Sequence, residues 1–158
     1  MLTKSFLLAI ALWTTAPVNA MELDYGRICL ALVAFSEQSE KHPDGMLLVQ
    51  LTVVNRLMDK KSRYGESLCD VAQQEHQFDG IQQWATPRTP WVTNPQRWAM
   101  AMDIANRIID RRYEIPGQCV SNNPILYFHS GEPPYWTNEL DFVCFVDGHY
   151  FYSETEHE

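Results

Sequence analysis

Apolar residues crowd the chain from Leu23 to Phe35, with Ile28, Leu32 and Phe35 at helical spacing. This pattern predicts a nearly buried helix that ends around Ser36-Glu37. His42-Pro43-Asp44-Gly45 breaks the pattern, and Pro43 suits the first position of a second helix. Over residues 44–58, Leu47, Leu51, Val54 and Met58 fall on one stripe, although Leu51-Thr52-Val53-Val54 is β-prone. Ser67, with Asp70 three residues on, resembles a capping pair for a short helix through Ala72. Residues 75–92 have no period and are rich in Gln, Trp and Pro. Asn94-Pro95 then opens a long helix to about Arg112. Its expected inner face carries Trp98, Met102, Ala105 and Ile109, and Arg111 and Arg112 suit its negative end.

After Pro116-Gly117 the period changes. Ile125-Leu126-Tyr127-Phe128-His129 is strand-like, as are Phe142-Val143-Cys144-Phe145-Val146 and His149-Tyr150-Phe151-Tyr152. Asp147-Gly148 between the last two is a strong hairpin signal. Helices followed by a small antiparallel sheet predict an α+β domain. No repeat, low-complexity stretch or long linker divides it.

The first twenty residues read as an address. Lys4 supplies a positive start, Phe6 to Trp13 is an apolar run, and Val18-Asn19-Ala20 offers small residues before a cut. These are the features of a secretory signal peptide, and the run is too short for a membrane span. Cleavage after Ala20 is expected, leaving one domain over residues 21–158, exported to the periplasm or the medium. Cys29, Cys69, Cys119 and Cys144 all lie in that mature part. Their even number suggests two disulfides in an oxidising compartment, with three connectivities open. Their spacing contains no Cys-x-x-Cys, which argues against a zinc or redox motif.

The 158 residues carry a net charge of −8, or −9 once Lys4 is removed with the leader. That balance argues against non-specific nucleic-acid binding and against attachment to an anionic membrane by charge. There is no His-Glu-x-x-His, no Gly-x-Ser-x-Gly and no glycine-rich phosphate loop.

Three groups of residues suit chemistry. Glu37 stands at the end of an apolar helix, where poor solvation of a carboxylate raises its pKa towards proton-donating range. Glu40, beside Lys41, reads as solvated surface. Gln77-Phe78-Asp79 lies in the irregular stretch followed by Trp84, Trp91 and Trp98. Aromatic faces stack on sugars and amides bond their polar groups, so this composition suits a carbohydrate groove, with Trp98 assigned to the core. His76, His129 and His149 form the third set, two of them on expected strands.

Taken in order, Ala34-Phe35-Ser36-Glu37, Gly45, Val53-Val54-Asn55-Arg56, Cys69-Asp70-Val71 and Gln77-Phe78 resemble the SleB-like cell-wall hydrolase family. Ile125 to His129, Trp136 and Gly148-His149-Tyr150-Phe151 resemble its closing strands, so the likeness runs from about residue 27 to 152. The chain departs from the family's Glu-Ala-Arg-Gly-Glu run, reading Glu37-Gln38-Ser39-Glu40-Lys41, and has an unusual Pro133-Pro134 before Trp136.

The resemblance implies a lysozyme-like α+β fold, a helical lobe with a small C-terminal antiparallel sheet. It further implies cleavage of peptidoglycan between N-acetylmuramic acid and N-acetylglucosamine, usually as a lytic transglycosylase. Glu37 falls on the family's catalytic glutamate. One acid/base suffices for that reaction, whereas ordinary glycosidases need two carboxylates. Glu75, Asp79 or Glu132 are the candidates for a second one, should the chain hydrolyse instead. Gln77, Phe78, Tyr127, His129, Trp136 and His149 are expected to bind the glycan, without metal or organic cofactor. Two other readings stand beside the enzyme: a wall-binding module that lost the chemistry, and a structural part of an envelope or phage assembly.

Overall fold

The computed structural model describes residues 20–74, 77–78, 81 and 90–155. Residues 1–19 of the expected leader lie outside the described residues. So do Glu75, His76, Asp79 and Trp84, and the side chain of Trp91. The described elements are α1 (Ala20–Glu37), α2 (Pro43–Leu57), α3 (Leu68–Ala72), α4 (Pro90–Thr93), α5 (Pro95–Ile109), β1 (Ile125–Ser130), β2 (Leu140–Val146) and β3 (His149–Glu154). The architecture is α+β, with helices first and one C-terminal sheet. No described helix is long and apolar enough to cross a membrane.

The buried faces differ from the expected stripes. Helix α1 packs against α5, α2 and α3 at once. Leu30, Val33 and Ala34 are therefore inaccessible, whereas Ile28, expected inside, is 38 % exposed. Helix α2 is buried continuously from Gly45 to Val53 rather than along one stripe, and Met58, just beyond its end, is exposed. Burial on all sides overrides the β-preference of residues 51–54, because packing outweighs propensity. On α5 the buried residues are Ala101, Ile104, Ala105 and Ile108, one position round from the expected set. Two alanines there let α1 approach closely.

Helix α5 also stops earlier than expected. Arg111 takes φ +56°, and the Arg112 amide reaches back to the Arg107 carbonyl at 2.7 Å. That left-handed closing turn satisfies carbonyls at the helix end, a place where glycine is more usual. The caps of α3 and α5 match expectation: Ser67 Oγ accepts from the Asp70 amide and Asn94 Oδ1 from the Arg97 amide.

The sheet has strand order β1-β3-β2, antiparallel throughout. Asp147 and Gly148 both have positive φ (+51° and +85°), as a tight hairpin turn of this hand requires. Two disulfides resolve the open connectivity. Cys29–Cys69 ties α1 to α3, and Cys119–Cys144 ties the short turn at Gly117–Cys119 to β2. At the end of α2, Asn55 Nδ2 donates to the Ile125 carbonyl at 2.9 Å and Arg56 Nε to the Leu126 carbonyl at 2.7 Å. These bonds hold the helix against β1.

Candidate functional site

Glu37 is the last residue of α1 and is half-buried. The next residue, Gln38, is buried and fixes this end of the helix to the β2–β3 turn. Its Nε2 donates to the Asp147 carbonyl at 2.9 Å and meets His149 Nδ1 at 2.6 Å. A carbonyl only accepts, so the amide nitrogen faces these partners, and His149 Nδ1 must accept the second hydrogen. His149 is thus neutral here, its proton on Nε2. Burial acts in the same sense, pushing the imidazole below its usual range, with His129 adding to the effect and Asp147 opposing it.

Asp147 then caps α2 from a distance. His42, at the cap position, makes no capping bond with its side chain. Instead Asp147 Oδ2 accepts from the Gly45 amide at 2.8 Å, and Oδ1 lies 3.1 Å from His42 Nδ1. A carboxylate at a helix N-terminus meets both unpaired amides and the positive end of the dipole. The approach needs glycine: a Cβ on Gly45 would sit 2.7 Å from Gln38 Nε2 and 2.8 Å from Asp147 Cβ. Glu40, expected as solvated surface, instead accepts from Asn94 Nδ2 and Arg97 Nε, both at 3.4 Å. Its hydrogen bond within the local backbone, together with Arg97, holds its carboxyl below the usual range.

A cavity of about 550 Å³ lies between the end of α2 and the sheet, lined by Arg56, Gln77, Tyr127, Phe128, Trp136 and Glu139 among others. Arg56 is only 5 % exposed. Its Nη1 donates to Gln77 Oε1 at 2.8 Å, and its guanidinium lies over the rings of Tyr64, Phe78 and Tyr127 at 5.2–5.7 Å. Near it, Glu154 accepts from Lys61, Arg63 and the Tyr127 hydroxyl. Arg63 foremost, then Lys61, brings the Glu154 carboxyl down to about 2. Burial and the Tyr127 hydroxyl push Tyr64 above its ordinary range.

Across the sheet lies an aromatic outer face. His129 stacks on Tyr150 (5.0 Å) and Tyr152 (5.6 Å), with Trp136 edge-on at 5.7 Å. Phe142 and Phe145 are 57 % and 50 % exposed there. The outer face of a small sheet is usually polar, so this exposed aromatic patch departs from the common pattern. Trp136 joins it to the cavity, where its ring lies 6.1 Å from that of Tyr127.

The expected site residues therefore fall in five places. Gln77, Tyr127 and Trp136 share the cavity, and His129 belongs to the outer face. Phe78 is 3 % exposed and packs beneath Arg56 and beside Phe128, so it is core and not groove. His149 lies on the inner side, bound to Gln38. Glu37 does not line the cavity. One ring and one residue connect the two: Phe128, a cavity residue, lies 5.3 Å from the ring of His149, and His149 holds Gln38 beside Glu37. Glu132, in the exposed turn after β1, is absent from the cavity, whereas Glu139 is present. Arg56, Tyr64, Glu139 and Glu154 escaped sequence reasoning as site residues. The one available signal was Arg56, a charge closing an apolar helix. Among the described residues no group of three His, Cys, Asp or Glu is placed to hold a metal.

Residues 40–152 match the Cell Wall Hydrolase family. The match begins three residues after Glu37. No curated protein and no solved structure is significantly similar to the chain.

Proposed function

The chain belongs to the cell wall hydrolase family, and from that premise we propose that it is an exported lytic transglycosylase acting on peptidoglycan glycan strands. The observation that carries the proposal is the cavity itself, in which an amide (Gln77) and two aromatic rings (Tyr127, Trp136) present the groups that hold amino sugars. The aromatic outer face, reached through Trp136, extends the surface on which sugar rings stack.

In this reading Glu37 is the acid/base. Its proton passes to the glycosidic oxygen between N-acetylmuramic acid and N-acetylglucosamine as the C1–O bond breaks, and the substrate's acetamido group stabilises the cation. The Glu37 carboxylate then takes the proton of the muramoyl C6 hydroxyl while its oxygen closes on C1, giving a 1,6-anhydro end. The protonated acid is restored. The rigid Gln38–His149–Asp147 bonds hold the helix end that carries it, which suits proton transfer, since that step depends on position to a fraction of an ångström. The two disulfides suit a protein of an oxidising compartment, reached by cleavage after Ala20.

A hydrolytic variant of the same reading has one observation in its favour: Glu139 lines the cavity, where a second carboxylate would activate water. Mass spectrometry of muropeptides released from purified sacculi decides between them. Anhydro ends are the expected product; reducing ends would transfer the second role to Glu139 or to Glu75 or Asp79. No release at all, with retained binding to sacculi, would replace the enzyme by the wall-binding module.

A further inference from the structure

We propose that Arg56 is a carboxylate-recognition residue of the cleft, taking an acidic group of the muramoyl unit or its peptide stem; the inference rests on the peptidoglycan reading above. The reasoning starts from how this chain treats its other arginines. Arg27, Arg63, Arg97, Arg107 and Arg112 each lie within 3.4 Å of a carboxylate, and Arg111, the other described arginine, is exposed to solvent. Arg56 is the most enclosed cation among them, yet no described carboxylate lies within ion-pair distance of it, Glu139 in the same cavity included. Its acceptors are two neutral oxygens, the Leu126 carbonyl and the Gln77 amide. Three aromatic rings complete its surroundings.

A buried cation with no counter-ion among the described residues carries a large desolvation cost, and neutral acceptors and ring faces return only part of it. Anchoring α2 to β1 does not call for a charge, because Asn55 makes an equivalent bond to the preceding carbonyl. What a guanidinium adds is a planar fork of donors suited to carboxylate. It is placed at a cavity of about 550 Å³, beside the rings expected to hold sugar. Nearby charges leave it as the available cation: Lys61 pairs with Glu154, which Arg63 also holds. A chain of net charge −8 repels an anionic polymer overall, so a local positive group is needed where the polymer docks.

Two sources of carboxylate are chemically equivalent here: the lactyl acid of a peptide-free muramoyl residue and a free acid on the stem peptide. Titration calorimetry on the purified chain separates them. One pair of probes is N-acetylglucosaminyl-N-acetylmuramic acid and its lactyl methyl ester; the other is the same disaccharide bearing a stem peptide, with its side-chain and terminal acids either free or amidated. A chitooligosaccharide serves as neutral sugar. This disaccharide lacks the muramoyl-to-glucosamine bond, so binding is read without turnover.

The expected result is that one acid binds roughly ten- to a hundred-fold tighter than its neutral partner, the range for a hydrogen bond to a charged group. Arg56→Gln should abolish that preference while weakening acid and chitooligosaccharide unequally, the acid far more, and Arg56→Lys should keep part of it. Lys61→Ala should keep all of it, and this variant decides the matter even if the Arg56 variants fail to fold. Equal binding of acid and neutral probes, or loss of the preference in Lys61→Ala, overturns the inference and leaves the peptidoglycan reading standing. Failure of every sugar to bind overturns both.

Discussion

Two helices each send a polar side chain under the sheet, and the two are treated in opposite ways. Gln38, just past α1, spends both amide hydrogens on fixed acceptors, and its partner His149 is held neutral. Arg56, near the end of α2, is charged and enclosed, and its own two acceptors are neutral, while Glu139 and Glu154 line the same cavity without pairing with it. A satisfied neutral network rigidifies what it touches, whereas an unmatched charge is poised for a partner. The contrast divides the labour of the proposed site. The Gln38 side positions the residue assigned to bond cleavage, and the Arg56 side recognises what is cleaved.

The largest effect should come from Glu37→Gln, which keeps size and removes the transferable proton. Release of soluble muropeptides should fall by about 10²–10⁴, the usual contribution of general acid–base catalysis. Affinity for the acidic disaccharide should not change, because that is assigned to Arg56. A Glu37→Gln chain that digests sacculi at the wild-type rate would remove Glu37 from the mechanism and dissolve the division just drawn. Weakened disaccharide binding at normal turnover would reverse it.

The outline of this division was legible in the sequence, but its detail was not. The Asp147-Gly148 turn, the Asn94 and Ser67 caps and the end of α1 at Glu37 follow from local chemistry, and each stands where it was expected. Faces of helices were read less well, because periodicity assumes one buried stripe and α1 and α2 are packed on several sides. The cavity was only half visible. Gln77, Tyr127 and Trp136 are recognisable as sugar-binding types, but Arg56 acquires its meaning from Tyr64, Phe78 and Tyr127, which tertiary structure alone brings to it. For Phe78 and His149 the residue type suggested a groove, whereas Phe78 packs under Arg56 and against Phe128, and the strand register turns His149 inward.

Gly45→Ala tests the Gln38 side without touching Arg56. The added methyl would meet Gln38 Nε2 and Asp147 Cβ at under 3 Å, so the α2 start or the hairpin turn must shift. Overpacking of this kind costs roughly 1–3 kcal/mol, and a chemical-denaturation midpoint should show it. Turnover should fall further than stability alone explains, since the end of α1 moves with Gln38. Discrimination between acidic and neutral disaccharide should persist in the folded fraction. A variant as stable and active as the parent would mean that the Gln38 network is not rigid.

Protonation offers a finer probe of the same side. The folded-state pKa of His149 lies below its ordinary value of 6.5, so the unfolded chain takes up the proton more readily. Stability is therefore complete above about pH 6.5 and declines as pH falls through the lowered value. The reason is local: a proton on Nδ1 turns an acceptor into a donor facing the Gln38 amide. The titratable groups around it are Asp147, His42 and His129, of which His129 opposes protonation of His149. Melting temperature should drop between pH 7 and 5, and His149→Gln should flatten that slope. A wild-type profile already flat over this interval would show that the imidazole is not locked.

The smallest effect belongs to the Arg56 side, at Glu154. Its carboxyl sits at about 2 because Arg63, Lys61 and the Tyr127 hydroxyl favour the charged form. A depressed carboxylate stabilises the fold above its unfolded value near 4.5, and that contribution disappears as pH falls towards 2. The side chain is 30 % exposed and its cations are partly solvated, so each pair is worth only about 0.2–1 kcal/mol and weakens with salt. Glu154→Gln should therefore lower the melting temperature slightly at neutral pH and not at all near pH 2. Its second readout matters more to the comparison. With Glu154 neutral, Lys61 loses its counter-ion and becomes a second free cation at the cavity. Affinity for the acidic disaccharide should then rise modestly, and Arg56→Gln in the same background should lose most of it. If the double variant instead keeps full acid preference, Lys61 recognises carboxylates as well as Arg56 does. The poised charge is then a property of the cavity rather than of one buried arginine.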